Sequence, residues 1–250
     1  MRAEPLSHTS RFTFHVSRTM ERCVKPELLD ELPPADPRAV RSREDLLRVN
    51  AWMGNCGIMV RALRSTCRGP AAQPIVELGA GDGRFLLRVA RKLVPGWEGT
   101  SAVLLDRLRI VSQETRQGFE SLGWRTEIVQ ADALHWLEQP AASACDAMIV
   151  NLFLHHFTEA QLAVLLRAAA RSARVFIALE PRRSARSLFF SRLFWVIGCN
   201  QVTRHDGPVS VRAGFAGREL SRLWPASQSW MLQERPVGCF SHLFIAQRRE

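Results

Sequence analysis

Five apolar runs, at 74–79, 101–106, 125–132, 145–151 and 174–181, recur through the middle of the chain, with helix-length stretches at 82–93, 108–122 and 159–172 between them. Runs of this length without polar alternation need cover on both faces, which places them in a parallel α/β sheet. The C-terminal end breaks the rhythm. After a helix at about 216–223, apolar runs at 229–236 and 239–248 are joined only through Val237-Gly238. A parallel crossover takes a dozen residues or more, so this last pair is an antiparallel hairpin. Seven strands are therefore expected in one mostly parallel sheet with a reversed strand.

Upstream, residues 1–22 show no periodicity and are expected to be a disordered tail. They have no apolar core of a secretory signal, and Met20 is an alternative start. Prolines break 26–37 into a short helix or turn. Ser42 and Asp45 then resemble a capping box, and Leu46, Val49, Met53, Cys56, Val60 and Leu63 recur every three or four residues. That spacing predicts one amphipathic helix over 43–65, within an N-terminal helical cap at 23–73. Residues 67–74 read as a linker, and 74–250 as the main domain with an insert at 182–214.

Composition removes several function classes. Six scattered cysteines form no C-x-x-C pair, so no zinc centre or disulfide framework is expected, and reduced thiols suit a cytoplasmic chain. No resident metal is expected. A net charge of +10 keeps nucleic acid in view, but the positive charge is arginine spread along the chain, with Lys25 and Lys92 the only lysines. No dense basic block interleaves with aromatics, which disfavours a nucleic-acid partner. The apolar stretch 187–199 is interrupted by Arg192 and is shorter than the roughly 20 residues of a membrane span, although its aromatics suit peripheral membrane contact.

"VELGAGDGRF" places Gly79, Gly81 and Gly83 between the first strand and the first helix. A glycine loop there seats a ligand at the carboxyl edge of the sheet, beside the switch in strand order. The dinucleotide pattern G-x-G-x-x-G needs a third glycine where Arg84 stands, and no Gly-Lys-Ser/Thr follows for a Walker loop. Phosphate ligands are disfavoured.

The same stretch resembles motif I, E/D-x-G-x-G-x-G, of class I S-adenosylmethionine-dependent methyltransferases. The likeness covers about 75–248, because that family's Rossmann-like sheet also ends in an antiparallel hairpin. In character the chain is most similar to bacterial small-molecule members of the quinone and polyketide type. The resemblance implies S-adenosyl-L-methionine as cofactor and methyl transfer to a small, apolar or aromatic acceptor at O, C or N. It places Gly79, Ala80, Gly81 and Gly83 beside the cofactor's methionine and ribose, and Asp106, with Arg107 next to it, at the ribose hydroxyls. Asp132 and Ala133 would meet the adenine, and Asn151 the cofactor or acceptor. Glu77 would either orient the loop or approach the methionine end. Asp106 and Asp132 also read as helix N-caps.

"NLFLHHF" at 151–157 looks like the "LHH" segment of small-molecule members and lacks the N-P-P-Y/F element of amino-group methyltransferases. His155 or His156 would then serve as a general base toward a hydroxyl acceptor, or both merely open the next helix. The insert reads as a lid over an apolar acceptor, with Arg204, His205 and Asp206 as polar or catalytic groups. Its halves also read as a core helix and a solvated turn. Asn50, Trp52, Met53 and Asn55 would line the pocket. An RNA or DNA methyltransferase and a non-catalytic cofactor-binding module are the alternative functions.

Overall fold

Seven strands form one sheet in the computed structural model, which describes residues 20–67, 69, 73–139, 144–225 and 228–249. They are β1 (Ile75–Leu78), β2 (Ser101–Asp106), β3 (Arg125–Gln130), β4 (Cys145–Asn151), β5 (Ala173–Pro181), β6 (Trp230–Val237) and β7 (Ser241–Arg248). Their order is β3-β2-β1-β4-β5-β7-β6. The first five are parallel, and β7 runs antiparallel to both β5 and β6. The expected Rossmann-like architecture, reversed strand included, is the one observed.

Ten α-helices surround the sheet among the described residues: α1 (Leu28–Glu31), α2 (Pro37–Met53), α3 (Asn55–Thr66), α4 (Arg84–Leu93), α5 (Gln113–Glu120), α6 (Ala133–Glu138), α7 (Glu159–Ser172), α8 (Ala185–Ser191), α9 (Gln201–Ala213) and α10 (Glu219–Leu223). Alternate residues of each central strand enter different cores. Ile75, Ala147, Ile149 and Ile177 pack with α3, α4 and α5. Val76, Leu78, Met148, Val150 and Phe176 pack with α6, α7 and α10. Both faces are thus dry, which is why these strands lack polar alternation. Thr158 opens α7 with a capping box. None of the described helices is long and apolar enough to cross a membrane.

Three expectations change. The single helix over 43–65 is two, because Gly54 adopts φ 71° and ends α2 in a left-handed cap. The apolar period runs through the break because the halves bury against different partners. Val49 and Met53 meet Phe194 and Cys199, whereas Val60 and Leu63 meet the main core. Ser42 and Asp45 lie inside α2. The helix starts instead at Asp36, which caps it ahead of Pro37.

The segment "RHDGP" is not a solvated turn but the middle of α9, with Pro208 inside the helix. Packing against α1, α2 and α8 overrides the poor local propensity. The disordered tail expected over 1–22 falls outside the described residues up to 19. At its end, Arg22 donates to the carbonyls of Ala213 at 2.8 Å and Phe157 at 2.9 Å, so 20–27, which precede α1, form a strap against the domain.

Candidate functional site

The glycine loop leaves β1 at the point where the sheet order turns back, between β1 and β4. Gly79, Gly81 and Gly83 have φ of 69°, 54° and 74°, a region that costs any residue with a Cβ. At Gly79 a Cβ would also lie 2.4 Å from the Phe153 ring. Gly79→Ala is expected to lower stability by more than about 2 kcal/mol, since strain and overlap add. Chemical denaturation checks it, and an unchanged midpoint would mean that the loop has another resting shape.

Asp106 ties this loop to the end of β2. One carboxylate oxygen accepts from Gly81 N at 2.8 Å and the other from Leu108 N at 2.8 Å. It is not the cap of α5, which Ser112 supplies. Each carboxylate oxygen still has room for a second donor. Arg107 is exposed, and its carbonyl accepts from Gln130 Nε2. Asp132 does cap α6, through Oδ1 to Leu134 N and His135 N, with Ala133 buried beside it. Arg84, which stands where a dinucleotide loop wants glycine, is paired with Asp82.

Glu77 is 2% exposed, and its Oε2 has no hydrogen-bond partner. Burial, with Asp82 and Asp106 close by, pushes its carboxyl well above the usual carboxylate range. The loop edge therefore carries three acidic side chains, one of them buried and unsatisfied.

Across the switch point, Asn151 ends β4 and meets two residues of the N-terminal helices. Its Nδ2 donates to Asn50 Oδ1 at 3.0 Å, and its Oδ1 accepts from Asn55 Nδ2 at 3.1 Å. Ser241 closes the network by donating to Asn55. Trp52 stacks on Phe240 with ring centroids 4.4 Å apart, and Met53 packs against Val49 and Phe194. The pocket residues expected on the cap are thereby split: the asparagines reach the sheet edge, while Trp52 joins the hairpin turn.

After Asn151 the chain turns sharply at Leu152, a non-glycine residue at φ 54°. Glu180, fully buried at the end of β5, accepts from the next three backbone amides, Phe153, Leu154 and His155. It also accepts from His155 Nδ1 at 2.8 Å, while Nε2 lies 3.3 Å from Glu27 of the strap. Burial alone would lower the histidine's pKa, but the two carboxylates outweigh it and raise it to about 9. Burial likewise opposes ionisation of Glu27, yet the His155 contact carries it down to about 2. A ring held as imidazolium at neutral pH has no lone pair to accept a proton, so His155 is an anchoring cation.

His156 is partly exposed, with Nδ1 3.1 Å from Asp30. His205 lies on α9, paired to Asp206, whose carboxylate caps α1 through Leu28 N and Leu29 N. The structure does not bring His205 to the glycine loop as it brings Asp106. Glu180 and Glu27 were not singled out from the sequence. A strand-end acid in "ALEP" obeys the same rule that selects Asp106, whereas nothing local marks Glu27.

Residues 75–175 match the family model described as a methyltransferase domain. No curated protein matches the chain. Among solved structures, an O-methyltransferase family protein from Burkholderia thailandensis is similar at 19% identity and TM-score 0.56, over 86% of this chain and 61% of that one. The plantazolicin methyltransferase BpumL, solved with a monoazolic desmethylPZN analogue and SAH, is 12% identical with TM-score 0.58, over 86% and 92%. An aminoriboflavin dimethyltransferase, RosA, from Streptomyces davawensis is 16% identical with TM-score 0.53, over 90% and 62%. The chain thus spans about three fifths of the length of the first and third.

Proposed function

We propose that this chain is a class I S-adenosylmethionine-dependent methyltransferase that holds its cofactor along the carboxyl edge of β1, β2 and β4 and methylates a small, apolar or aromatic acceptor. The observation that carries the reading is the buried, unpartnered Glu77 oxygen beside a glycine loop with two further acids. An acidic edge of this kind repels a pyrophosphate and suits a ligand with an ammonium and a sulfonium. No atom stands within 4 Å of where a Gly81 Cβ would be, so the loop backbone is approachable.

In this reading Glu77 faces the methionine end, Asp106 takes the ribose hydroxyls and Asp132 the adenine amino group. When bound, S-adenosylmethionine supplies an electrophilic methyl group. The chain's own part is to position the acceptor and exclude water, which supplies up to roughly 7–11 kcal/mol in favourable cases. Asn151, held by Asn50 and Asn55, presents a fixed amide where acceptor and cofactor meet. For a hydroxyl acceptor, His156 is the histidine left to take the proton. Beside Asn50 a cavity of about 670 Å³ has room for a small acceptor, its lining combining Leu47, Met53, Ile58 and Phe85 with the cations Arg61, Arg88, Arg91 and Lys92. The name of RosA, which concerns an amino-demethyl-riboflavin, accords with an aromatic acceptor.

Calorimetry in buffers of different ionisation enthalpy tests the cofactor site. Without ligand Glu77 holds its proton above the usual carboxylate pKa, and a cationic ligand favours the ionised form. Binding is therefore expected to release up to about one proton and to tighten as pH rises toward the ligand-free pKa. Glu77→Gln should abolish the release. Absence of cofactor binding by the wild type would sink the reading. Binding without proton release would remove only Glu77 from the site. Labelled-methyl transfer to RNA in preference to phenols, quinols and heterocycles would overturn the acceptor class.

A further inference from the structure

We propose that the N-terminal strap and the loop after β4 share a divalent-metal site built from Glu27, His155 and His156. One carboxylate oxygen and one ring nitrogen from each histidine lie within 4.8 Å of one another, the spacing that a single ion can span. Glu27 and His155 are buried and His156 is partly exposed.

The surroundings of the three residues match a metal centre more closely than a chance ion pair. Ligating histidines nearly always give their other nitrogen to a carboxylate or carbonyl, which fixes tautomer and orientation. Here every member has such an outer partner. His155 Nδ1 bonds Glu180 at 2.8 Å, His156 Nδ1 faces Asp30 at 3.1 Å, and Glu27 Oε1 accepts from the Ser210 hydroxyl. With both Nδ1 atoms so engaged, the two Nε2 atoms face the ion, which takes the place of the Nε2 proton that His155 carries in the metal-free protein and releases it to solvent. The charge points the same way. Three carboxylates surround two imidazoles, and a proton on one ring balances only one of them. Arg22, the nearby cation, gives its guanidinium to the carbonyls of Ala213, His155 and Phe157.

Two imidazoles and one carboxylate select zinc or a neighbouring first-row ion over magnesium or calcium, which prefer all-oxygen sets. Three protein ligands leave a fourth position open on the exposed His156 side. The ion would cross-link the strap to the loop that follows Asn151. If the methyltransferase reading holds, a hydroxyl acceptor at the open position would lose its proton to solvent more easily, with His156 as ligand instead of base. That last role rests on the reading above, but the site itself does not.

The test uses full-length protein stripped with chelator and titrated with Co²⁺ by visible absorption and with Zn²⁺ by calorimetry. One equivalent is expected to bind, with the d–d bands of a four-coordinate nitrogen–oxygen site and a raised melting temperature. His156→Ala and Glu27→Gln should abolish both effects. Asp30→Asn, at an exposed position, should weaken binding about 10-fold. No binding by the wild type would reduce the cluster to an ion pair. Binding undiminished in His156→Ala would place the ion elsewhere, on the free cysteines for example, and would overturn the proposal. Neither result depends on methyl transfer.

Discussion

Replacing Asp106 with alanine is expected to weaken S-adenosylmethionine binding about 100-fold. The carboxylate holds the glycine loop through Gly81 N and the end of β2 through Leu108 N, both at 2.8 Å. The proposed role adds the ribose hydroxyls to the same two oxygens. Hydrogen bonds to a charged group contribute about 1.5–3 kcal/mol each, and losing two of them at the lower end of that range, as suits a partly exposed site, gives about 3 kcal/mol, or on the order of 100-fold. Asp106→Asn keeps one acceptor oxygen and should fall between the two. Calorimetry on folded variants decides the matter. An alanine variant with wild-type affinity and an intact circular dichroism spectrum would show that the ligand is held elsewhere.

Glu180→Ala is expected to cost about 3–5 kcal/mol of stability, the range for removing one partner of a buried charged pair. The reason is visible in its bonds. Three successive amides and a buried imidazolium all depend on this one carboxylate, and alanine leaves them without an acceptor. Water cannot compensate easily, because Glu180 is fully buried and His155 only 3% exposed. Leu152 at φ 54° adds to the demand, since a strained turn persists only where its surroundings hold it. Urea denaturation measures the effect. A loss under about 1 kcal/mol would show that the loop after β4 is held by other contacts.

Much of this architecture was legible in local patterns. Apolar runs bounded by glycine and proline mark β1 to β5, and the short connection between β6 and β7, at 238–240, forces the reversed strand. The glycine loop and Asp106 were legible because a strand-end position and a spacing of glycines are properties of a few adjacent residues. The split of α2 from α3 was harder. Gly54 marks it, but the apolar period passes through unchanged, so periodicity alone favours a single helix. "RHDGP" misled for the opposite reason: glycine and proline side by side signal a turn, while burial of Asp206 against α1 and packing around α9 keep the segment helical.

By itself, the order of residues determined the sheet, its reversed edge and a glycine loop whose spacing fits neither phosphate motif, since each depends on neighbours in the chain. The tertiary structure alone decided which histidine has its pKa raised to about 9, which carboxyl is pushed above the usual carboxylate range and which carboxylate anchors the loop. A side chain's protonation depends on burial and on charges within a few ångströms. Those charges come from the strap, from β5 and from the loop after β4, segments that only folding brings together.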